Sequence, residues 1–580
     1  MAQKIMNSPE NIVYEMIEGV VATNPGLVRL DGFPNVKAIR RREFDGAKVA
    51  VISGGGSGHE PSFAGFVGSG LLTAAVCGGV FASPSADEVL AAIRSVTGPA
   101  GCLLVLMNYT GDRLNFGLAA ETAKLEGFKV QMLVVGEDCA LPPPRGIAGR
   151  RGLAGTLLVH KVAGAAAEAG LSLEEVLGEA RAAAEAVGTM GVALSACTLP
   201  GKTAAQRIAT GDMELGLGIH GEPGARKGPL QPADSIVDSI LTTIIDPATA
   251  YLPVEADEEV TLLINSLGAT PPMELAVVAN SSLKWLKARN IHVTRVYSGM
   301  FMSSLDMVGF SITLMRMTPQ RALRLDASHS APAWPAAPAV HDPSKSPMAM
   351  PKSCAEAPAS SGSPVTPGGK LLEAAILHAA NSLIAAEEKL TLWDTHVGDG
   401  DCGITTTRGA KALIADTAAK YPLDDPSGTA LQLGLSVRHS MGGTSGALYD
   451  IFFHAAAACL KQNSLSEANA ALGWASALEA GVQAIQLYGG AKVGDRTMLD
   501  ALVPATGALK SALSSGTSPL EALEAAVAAA QAGADATCHM DAGAGRSSYV
   551  PKEILMDNPD PGAQGAAIWL KAVFESLTKS

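Results

Sequence analysis

The sequence predicts a multidomain chain, an α/β lobe of two α/β subdomains followed by an all-helical lobe. Three observations predict it. Short apolar runs alternate with helix-like segments over residues 1–330. A proline-rich break follows at 331–369. Beyond it, over 370–580, apolar residues recur at three-to-four spacing and strand-like runs are nearly absent. At 580 residues the chain has room for about three to five compact units.

The first lobe opens its strand series with Lys48–Ile52, an apolar run ending in glycines. Cys102–Met107 and Lys129–Val135 repeat the pattern, with helix-like segments at Ala86–Val96 and Gly117–Lys124. Strand–helix alternation with short buried strands predicts a largely parallel sheet. The pattern resumes with Val260–Ile264, a helix-like Met273–Arg289 and a strand-like Ile291–Tyr297, hence a second subdomain. From Ala331 to Gly369 roughly a quarter of the residues are proline, which removes backbone donors and fixes φ, so the stretch reads as an extended linker. A long structured loop is the alternative, although such loops are uncommon inside compact domains. In the second lobe Leu371, Leu372, Ala375, Ile376, Ala379, Leu383 and Ile384 set the helical period. Further helix-like stretches at 430–437, 447–459, 468–487, 500–513 and 520–532, with the last 20 residues, predict a bundle of about eight helices.

Composition narrows the function. Lys and Arg number 43 against 56 Asp and Glu, a net charge of −13. That is the wrong sign for a nucleic-acid reader, so no nucleic-acid partner is expected. Eight scattered cysteines with no CxxC pair exclude a zinc ribbon and fit reduced thiols in a cytoplasmic enzyme. Residues 1–18 lack the apolar centre of a signal peptide. The longest apolar candidate, Leu153–Ala169, is broken by His160, Lys161 and Glu168, so no membrane association is expected.

Five constellations carry chemistry. Ser53-Gly54-Gly55-Gly56-Ser57-Gly58-His59-Glu60-Pro61 follows a strand, where glycines admit a small ligand and His59 can exchange a proton with it. No Gly-Lys-Ser/Thr follows, so it is not a P-loop, and a bare tight connection is the alternative. Asn108-Tyr109-Thr110-Gly111-Asp112 also follows a strand. Asp112 can take a hydroxyl proton there, or it is merely a helix N-cap. In Gly216-Leu217-Gly218-Ile219-His220-Gly221-Glu222-Pro223-Gly224 the ring of His220 is accessible as base, metal ligand or nucleophile, or it is simply exposed. Asp394-x4-Asp399-x-Asp401 crosses a glycine-broken turn. Hard carboxylates at that density suit Mg²⁺, and the EF-hand spacing fails because the fifth and twelfth positions are Gly403 and Ala410. Met441-Gly442-Gly443-Thr444-Ser445-Gly446 opens a helix-like run whose N–H groups can cradle phosphate. With Gly494-Asp495-Arg496-Thr497-Met498, Gly543-Ala544-Gly545-Arg546 and Asp560-Pro561-Gly562, it points to a metal-nucleotide site.

These motifs, taken in order with Gly149–Thr156 (GRRGLAGT), resemble the ATP-dependent dihydroxyacetone kinase family, most of all its eukaryotic triokinase/FMN cyclase form. The resemblance spans the chain apart from the 331–369 segment. It implies a substrate-holding K domain, then an ATP-holding L domain shaped as a helical barrel. Gly56, Ser57, Gly58, His59 and Asp112 would bind dihydroxyacetone, and His220 would add covalently to its carbonyl carbon as a hemiaminal. Asp394, Asp399 and Asp401 would hold two Mg²⁺ ions. ATP contacts would fall on Asp401, Cys402, Gly403, Ile404, Thr444, Ser445, Gly489, Thr497, Met498, Asp560, Pro561 and Gly562. The family commonly carries Lys just before Asn-Tyr-Thr-Gly-Asp as a substrate contact, and here that position is Met107.

The implied reaction is phosphorylation of dihydroxyacetone or D-glyceraldehyde by ATP. His220 selects carbonyl compounds over glycerol, Asp112 takes the hydroxyl proton, and His59 assists. Positioning and metal electrostatics would carry the transfer. A homodimer in which one subunit's L domain serves another's K domain is compatible with the linker. The resemblance also implies a second activity, splitting FAD into AMP and cyclic FMN at the L-domain metal site with Mn²⁺ or Co²⁺. Two other classes compete. In a PEP-dependent phosphotransferase K and L act as separate subunits, and their fusion here disfavours it. A non-enzymatic regulator on the same fold would be expected to lose the histidine or the metal acids.

Overall fold

The computed structural model describes residues 4–32, 35–141, 149–203, 207–335, 365–463, 465–466, 469–556 and 558–579. The chain divides into two compact units, Met1–Met348 and Ala349–Ser580.

The first unit holds two six-stranded sheets. The first is made of β1 (Leu27–Arg29), β2 (Ala38–Arg41), β3 (Ala50–Ser57), β4 (Ala74–Val80), β5 (Cys102–Met107) and β6 (Val130–Val135), in the order β1-β2-β4-β3-β5-β6. Its last four strands are parallel, as expected. Every residue of β5 is buried, because helices cover both faces of a parallel sheet. Leu104 and Leu106 pack with Ile93 and Phe116 on one face, while Leu103 and Val105 pack with Leu157 and Val162 on the other. Helix Ala86–Val96 starts where the sequence places it, since Ser85 and Glu88 form a capping box.

The second sheet corrects the parallel expectation. It comprises β7 (Val187–Ala193), β8 (Asp212–Leu215), β9 (Arg226–Pro229), β10 (Glu259–Ser266), β11 (His292–Gly299) and β12 (Gly309–Arg316), in the order β11-β10-β12-β7-β8-β9. Only β10 and β11, joined through helix Pro272–Lys287, are parallel. The other four pairs are antiparallel. The reason lies in the connections. Among the described residues no helix separates β11 from β12 or β7 from β8, so these strands return without the crossover that a parallel pair requires.

Helix Thr156–Glu168 belongs to a core that includes Leu103 and Val105 of the first sheet and Leu263 and Met315 of the second. All of its residues from Thr156 to Ala167 are buried, which explains the long apolar run. Lys161 is fully buried within it, and its ammonium donates to the carbonyls of Ala327 at 2.7 Å and Arg324 at 3.1 Å. Among the described residues no helix is long and apolar enough to cross a membrane.

Glu137, just past β6, caps this helix. One of its carboxylate oxygens accepts from the N–H groups of Leu153 at 2.9 Å and Thr156 at 3.1 Å. Burial pushes its carboxyl up to about 7, although those bonds and Arg150 oppose the shift. A raised carboxyl means that folding retains a proton the unfolded chain releases, so stability falls as pH climbs from about 4.5 through 7. Glu137→Gln removes that loss and keeps the acceptor. The variant should equal the parent at pH 5 and exceed it at pH 8, by up to about 3 kcal/mol, in thermal or urea unfolding of this unit.

The segment expected as linker is structured at both described ends. Ala331 and Trp334 are buried, with the indole against Phe66, Tyr297 and Phe301, and Pro367–Gly369 already form the first helical turn of the second unit. Residues 336–364 lie outside the described residues.

The second unit contains no strand among its described residues. Its longer helices are Pro367–Ala385, Glu387–Val397, Cys402–Lys420, Pro426–Ser440, Gly443–Gln462, Ala470–Gly489, Leu499–Ser514, Pro519–Ala536 and Pro561–Thr578. Leaving aside Glu387–Val397, which packs against Cys402–Lys420 and Pro561–Thr578, each packs on the next and the last packs on the first, closing a helical barrel. Small residues permit the close approach. Ala522, Ala526, Ala530 and Ala534 line one face of their helix and are fully buried with Ala501, Ala505, Ala563 and Ala566. Glu387–Val397 and Cys402–Lys420, which flank the acidic turn, were not among the expected helices.

Candidate active site

In the first unit the site forms where both sheets contribute. The strand β3 runs through the glycine series as far as Ser57, so most of the expected glycine loop is strand. Gly56 has no room for a side chain, since a Cβ there would lie 2.7 Å from the Ala82 nitrogen and 2.9 Å from Phe81 Cα. Gly56→Ala should therefore displace Phe81 and raise the ketone KM at least about tenfold while the barrel unit stays folded, read by steady-state kinetics and circular dichroism.

The structure brings His59 and His220 together. Their Nε2 atoms are 3.1 Å apart. His59 Nδ1 lies 2.9 Å from the carbonyl of Ser303, which only accepts, so that nitrogen carries a proton. His220 Nδ1 lies 2.7 Å from the carboxylate of Glu222, whose second oxygen accepts from the His220 backbone N–H at 2.5 Å. With both Nδ1 atoms donating, the Nε2 contact must hold one proton, or two lone pairs would face each other. Burial, then His220, push the His59 imidazole down to about 3. Burial would raise Glu222, but the hydrogen bonds and charge of His220 outweigh it and hold the carboxyl at about 2.

Rings fix this pair. Phe81 stacks on His59 at 4.9 Å and meets His220 edge-on at 4.8 Å, while Tyr109 packs edge-on against His220 at 5.0 Å. The Tyr109 hydroxyl is buried without a hydrogen-bond partner. Asp112 is not an N-cap. Tyr109 holds that position, and Asp112 Oδ1 instead accepts from Ser83 Oγ at 2.6 Å. Burial raises the Asp112 carboxyl, opposed by Ser83 and His220. A Cβ at Gly55 would come 3.6 Å from Asp112 Oδ2, so this acid faces the glycine strand. Ser57 is buried and donates to the Gly78 carbonyl at 2.8 Å, and Gly58 N–H donates to Glu60. Met107 is 3 % exposed and lies in the core that includes Leu153, so it offers no charged contact.

In the second unit Asp394, Asp399 and Asp401 offer carboxylate oxygens that all lie within 4.8 Å of one another. Asp394 is buried and accepts from the N–H groups of Asp401 and Cys402 at 2.8 and 2.9 Å, while Asp399 and Asp401 are exposed. Three converging hard oxygens fit Mg²⁺. Asp560 caps helix Pro561–Thr578 through Ala563 N–H at 2.8 Å. Burial, aided by Asp500 and Asp394, pushes its carboxyl up to about 6 against the pull of Ala563 N–H and Arg496. Burial and the same Asp394 and Asp560 raise the Cys402 thiol to about 12. Asp560 and Cys402 therefore join the acid trio. Gly403 and Ile404 continue the helix from Cys402, with Ile404 exposed.

Met498 belongs to this end of the barrel, since a Cβ on Gly562 would lie 4.0 Å from its Cβ, and Pro561 is buried beside it. Thr497 N–H donates to Asp500 at 2.8 Å. Thr444 and Ser445 occupy the first turn of helix Gly443–Gln462, which has no side-chain cap, and Gly489 approaches Leu448 one turn further on. Arg408, from the helix after the trio, donates to the carbonyls of Ser440 and Met441, fastening that glycine turn to the acid-bearing helix.

Glu222, Ser83, Phe81 and Ser303 escape the sequence reading. For Glu222 the signal was present, an acid two residues after His220 across a glycine. The others arrive from distant loops.

Residues 18–333 match the Dak1 domain family and residues 396–575 the DAK2 domain family. The chain is 54 % identical over 579 residues to a putative 3,4-dihydroxy-2-butanone kinase of Solanum lycopersicum, covering 98 % of this chain and 97 % of that one. It is 43 % identical over 585 residues to triokinase/FMN cyclase of Rattus norvegicus, covering 99 % of each. The crystal structure of the C. freundii dihydroxyacetone kinase with AMP-PNP and Mg²⁺ is similar at a TM-score of 0.68 and 37 % identity, covering 99 % of this chain and 100 % of that one.

Proposed function

The chain belongs to the dihydroxyacetone kinase family, and from that premise we propose that it transfers the γ-phosphoryl group of ATP to dihydroxyacetone or D-glyceraldehyde held covalently on His220. The observation that carries this reading is the pairing of the two Nε2 atoms, with Glu222 behind one ring and Ser303 behind the other.

The chemistry follows from hydrogen-bond counting. Nε2 of His220 forms a bond to the carbonyl carbon as the C=O π bond breaks. The proton that bridged the two rings passes, by way of His59, to the former carbonyl oxygen. The alkylated ring keeps its Nδ1–H and its positive charge, balanced by Glu222, so no net charge is created in the pocket. Glycerol, lacking an electrophilic carbon, is not captured. Asp112 then accepts the proton of the terminal hydroxyl as its oxygen bonds to the γ-phosphorus and the bond to the leaving ADP breaks. Burial suits it to this role by raising its proton affinity.

Asp394, Asp399 and Asp401 would hold Mg²⁺, which supplies charge neutralisation for the nucleotide phosphates. The free N–H groups at the start of helix Gly443–Gln462, with Thr444 and Ser445, are suited to phosphate oxygens, and Cys402–Ile404, Gly489, Thr497, Met498 and Asp560–Gly562 to the rest of the nucleotide. The test is ADP release by the purified protein with Mg-ATP and each of three acceptors. Dihydroxyacetone and glyceraldehyde should turn over and glycerol should not; equal turnover of glycerol refutes covalent selection.

A second reading rests on the full-length similarity to proteins named triokinase/FMN cyclase. The acid trio, loaded with Mn²⁺ or Co²⁺, would split FAD into AMP and cyclic FMN, with no part for His220. The active species is taken as a homodimer, checked by light scattering.

A further inference from the structure

Within the Gly149–Thr156 stretch Arg151 has had no role so far, and it faces the catalytic loop. The side chain is largely enclosed. Nε donates to Asp138 Oδ2 at 2.6 Å, and the Asp138 side chain is 3 % exposed. The other Asp138 oxygen accepts from Ala140 N–H at 2.9 Å, so the acid is itself held. Arg151 Nη2 donates to the carbonyl of Gly216 at 2.7 Å. Gly216 opens the loop that carries His220 and has φ +74, so this bond fastens the base of a tight turn. The third nitrogen points along the loop. A Cβ on Gly218 would lie 2.7 Å from Arg151 Nη1 and 2.0 Å from Glu222 Oε2. The guanidinium and the carboxylate thus flank the same glycine, and only glycine leaves them room.

We infer that Arg151 is a positioning residue for His220: it ties down the loop at Gly216 and sets a positive charge beside Glu222, the carboxylate that orients the imidazole. This rests on the covalent-capture reading above. The planar guanidinium bonds Asp138 and Gly216 at once because its donors fan out in fixed directions, and its third nitrogen lies across Gly218 from Glu222 without bonding it. An ammonium there supplies the charge but not the fork. The groups facing Glu222 are His220 and, behind it, His59; Tyr109 from the helix start; Arg151; Cys197. Arg207 donates to the neighbouring Gly221 carbonyl. Among them Arg151 places a second cationic group beside Glu222 that does not take part in the covalent chemistry.

The test compares Arg151→Gln, Arg151→Lys, Glu222→Gln and the Arg151→Gln/Glu222→Gln double variant, reading ketone KM, ATP KM and the pH profile of kcat/KM for dihydroxyacetone. Arg151→Gln should raise the ketone KM about tenfold or more with the ATP KM unchanged, and should move the acid limb of the profile up by about one pH unit. In the double variant the Arg151 change should add less than it costs alone, because part of its effect runs through the Glu222 carboxylate and only the tie to Gly216 remains to be lost. Fully additive losses, a parallel rise in the ATP KM, or an acid limb that stays in place each overturn the inference. If the Gln variant does not fold, Arg151→Lys carries the test alone. Its ketone KM should rise with the acid limb in place, and an unchanged ketone KM overturns the inference. His220→Ala, run in parallel, separates the two claims. Ketone turnover surviving in that variant refutes covalent capture, whereas its loss beside an unaltered Arg151→Gln refutes only the role given to Arg151.

Discussion

Replacing His220 by alanine should cut dihydroxyacetone phosphorylation on the order of 10³-fold or more, because it removes the atom proposed to bond to the substrate. The fold should survive. His220 is partly exposed, and its contacts are the edge-on rings of Phe81, Tyr109 and His59 rather than the sheet cores. The variant would leave Glu222 with its backbone donor at His220 intact. Two readouts distinguish loss of capture from loss of fold. Mn-dependent FAD splitting, the second activity proposed above, should persist, since no residue of the acid trio is altered, and the far-ultraviolet spectrum should match the parent. Equal loss of both activities in a folded protein would refute the separation of the two chemistries. The conservative change His59→Gln should cost less, as it removes the route of the proton and leaves the nucleophile.

Substituting Asp401 by asparagine should abolish both activities together. Three carboxylates within 4.8 Å repel one another, and a divalent cation relieves that repulsion. Losing one ligand oxygen and one charge should reduce turnover roughly 10³-fold, about 4 kcal/mol of transition-state stabilisation, and weaken Mn²⁺ binding measured by electron paramagnetic resonance. Asp394 is the less clean choice. Its Oδ2 also caps the N–H groups of Asp401 and Cys402, so Asp394→Asn mixes a loss of metal with a loosened helix start. Retained Mn²⁺ affinity in Asp401→Asn would refute the assignment.

Much of this architecture was legible from local signals. Cys102–Met107 and Ala86–Val96 come out with their observed bounds, because a buried parallel strand is uniformly apolar and Ser85 with Glu88 closes a capping box. The second sheet was misjudged because the pairing of β12 between β10 and β7 depends on where the chain returns, and no local periodicity encodes it. Helices Glu387–Val397 and Cys402–Lys420 were missed for a related reason. Their threonines, lysines and aspartates dilute the apolar stripe at the end where the acids gather. At the site, His59, Asp112 and His220 announced themselves through glycine-rich surroundings. Their partners did not. Ser83, Ser303 and Phe81 meet them from 29, 244 and 22 residues away, separations at which only the folded sheet order makes neighbours.

The two imidazoles stand on different sheets, one at the end of β3 and the other in the loop after β8, with Ser303 between β11 and β12. On the proposed mechanism, reactivity toward a carbonyl is therefore a vernier for the alignment of the halves. A slip along the buried central helix would part the rings, whose Nε2 atoms are 3.1 Å apart. Gly164 sits on that helix where a Cβ would lie 2.1 Å from the Leu71 carbonyl oxygen. A methyl group added there, far from any reacting atom, must displace the Leu71 backbone, so it should both lower the melting temperature of this unit and weaken its hold on the triose.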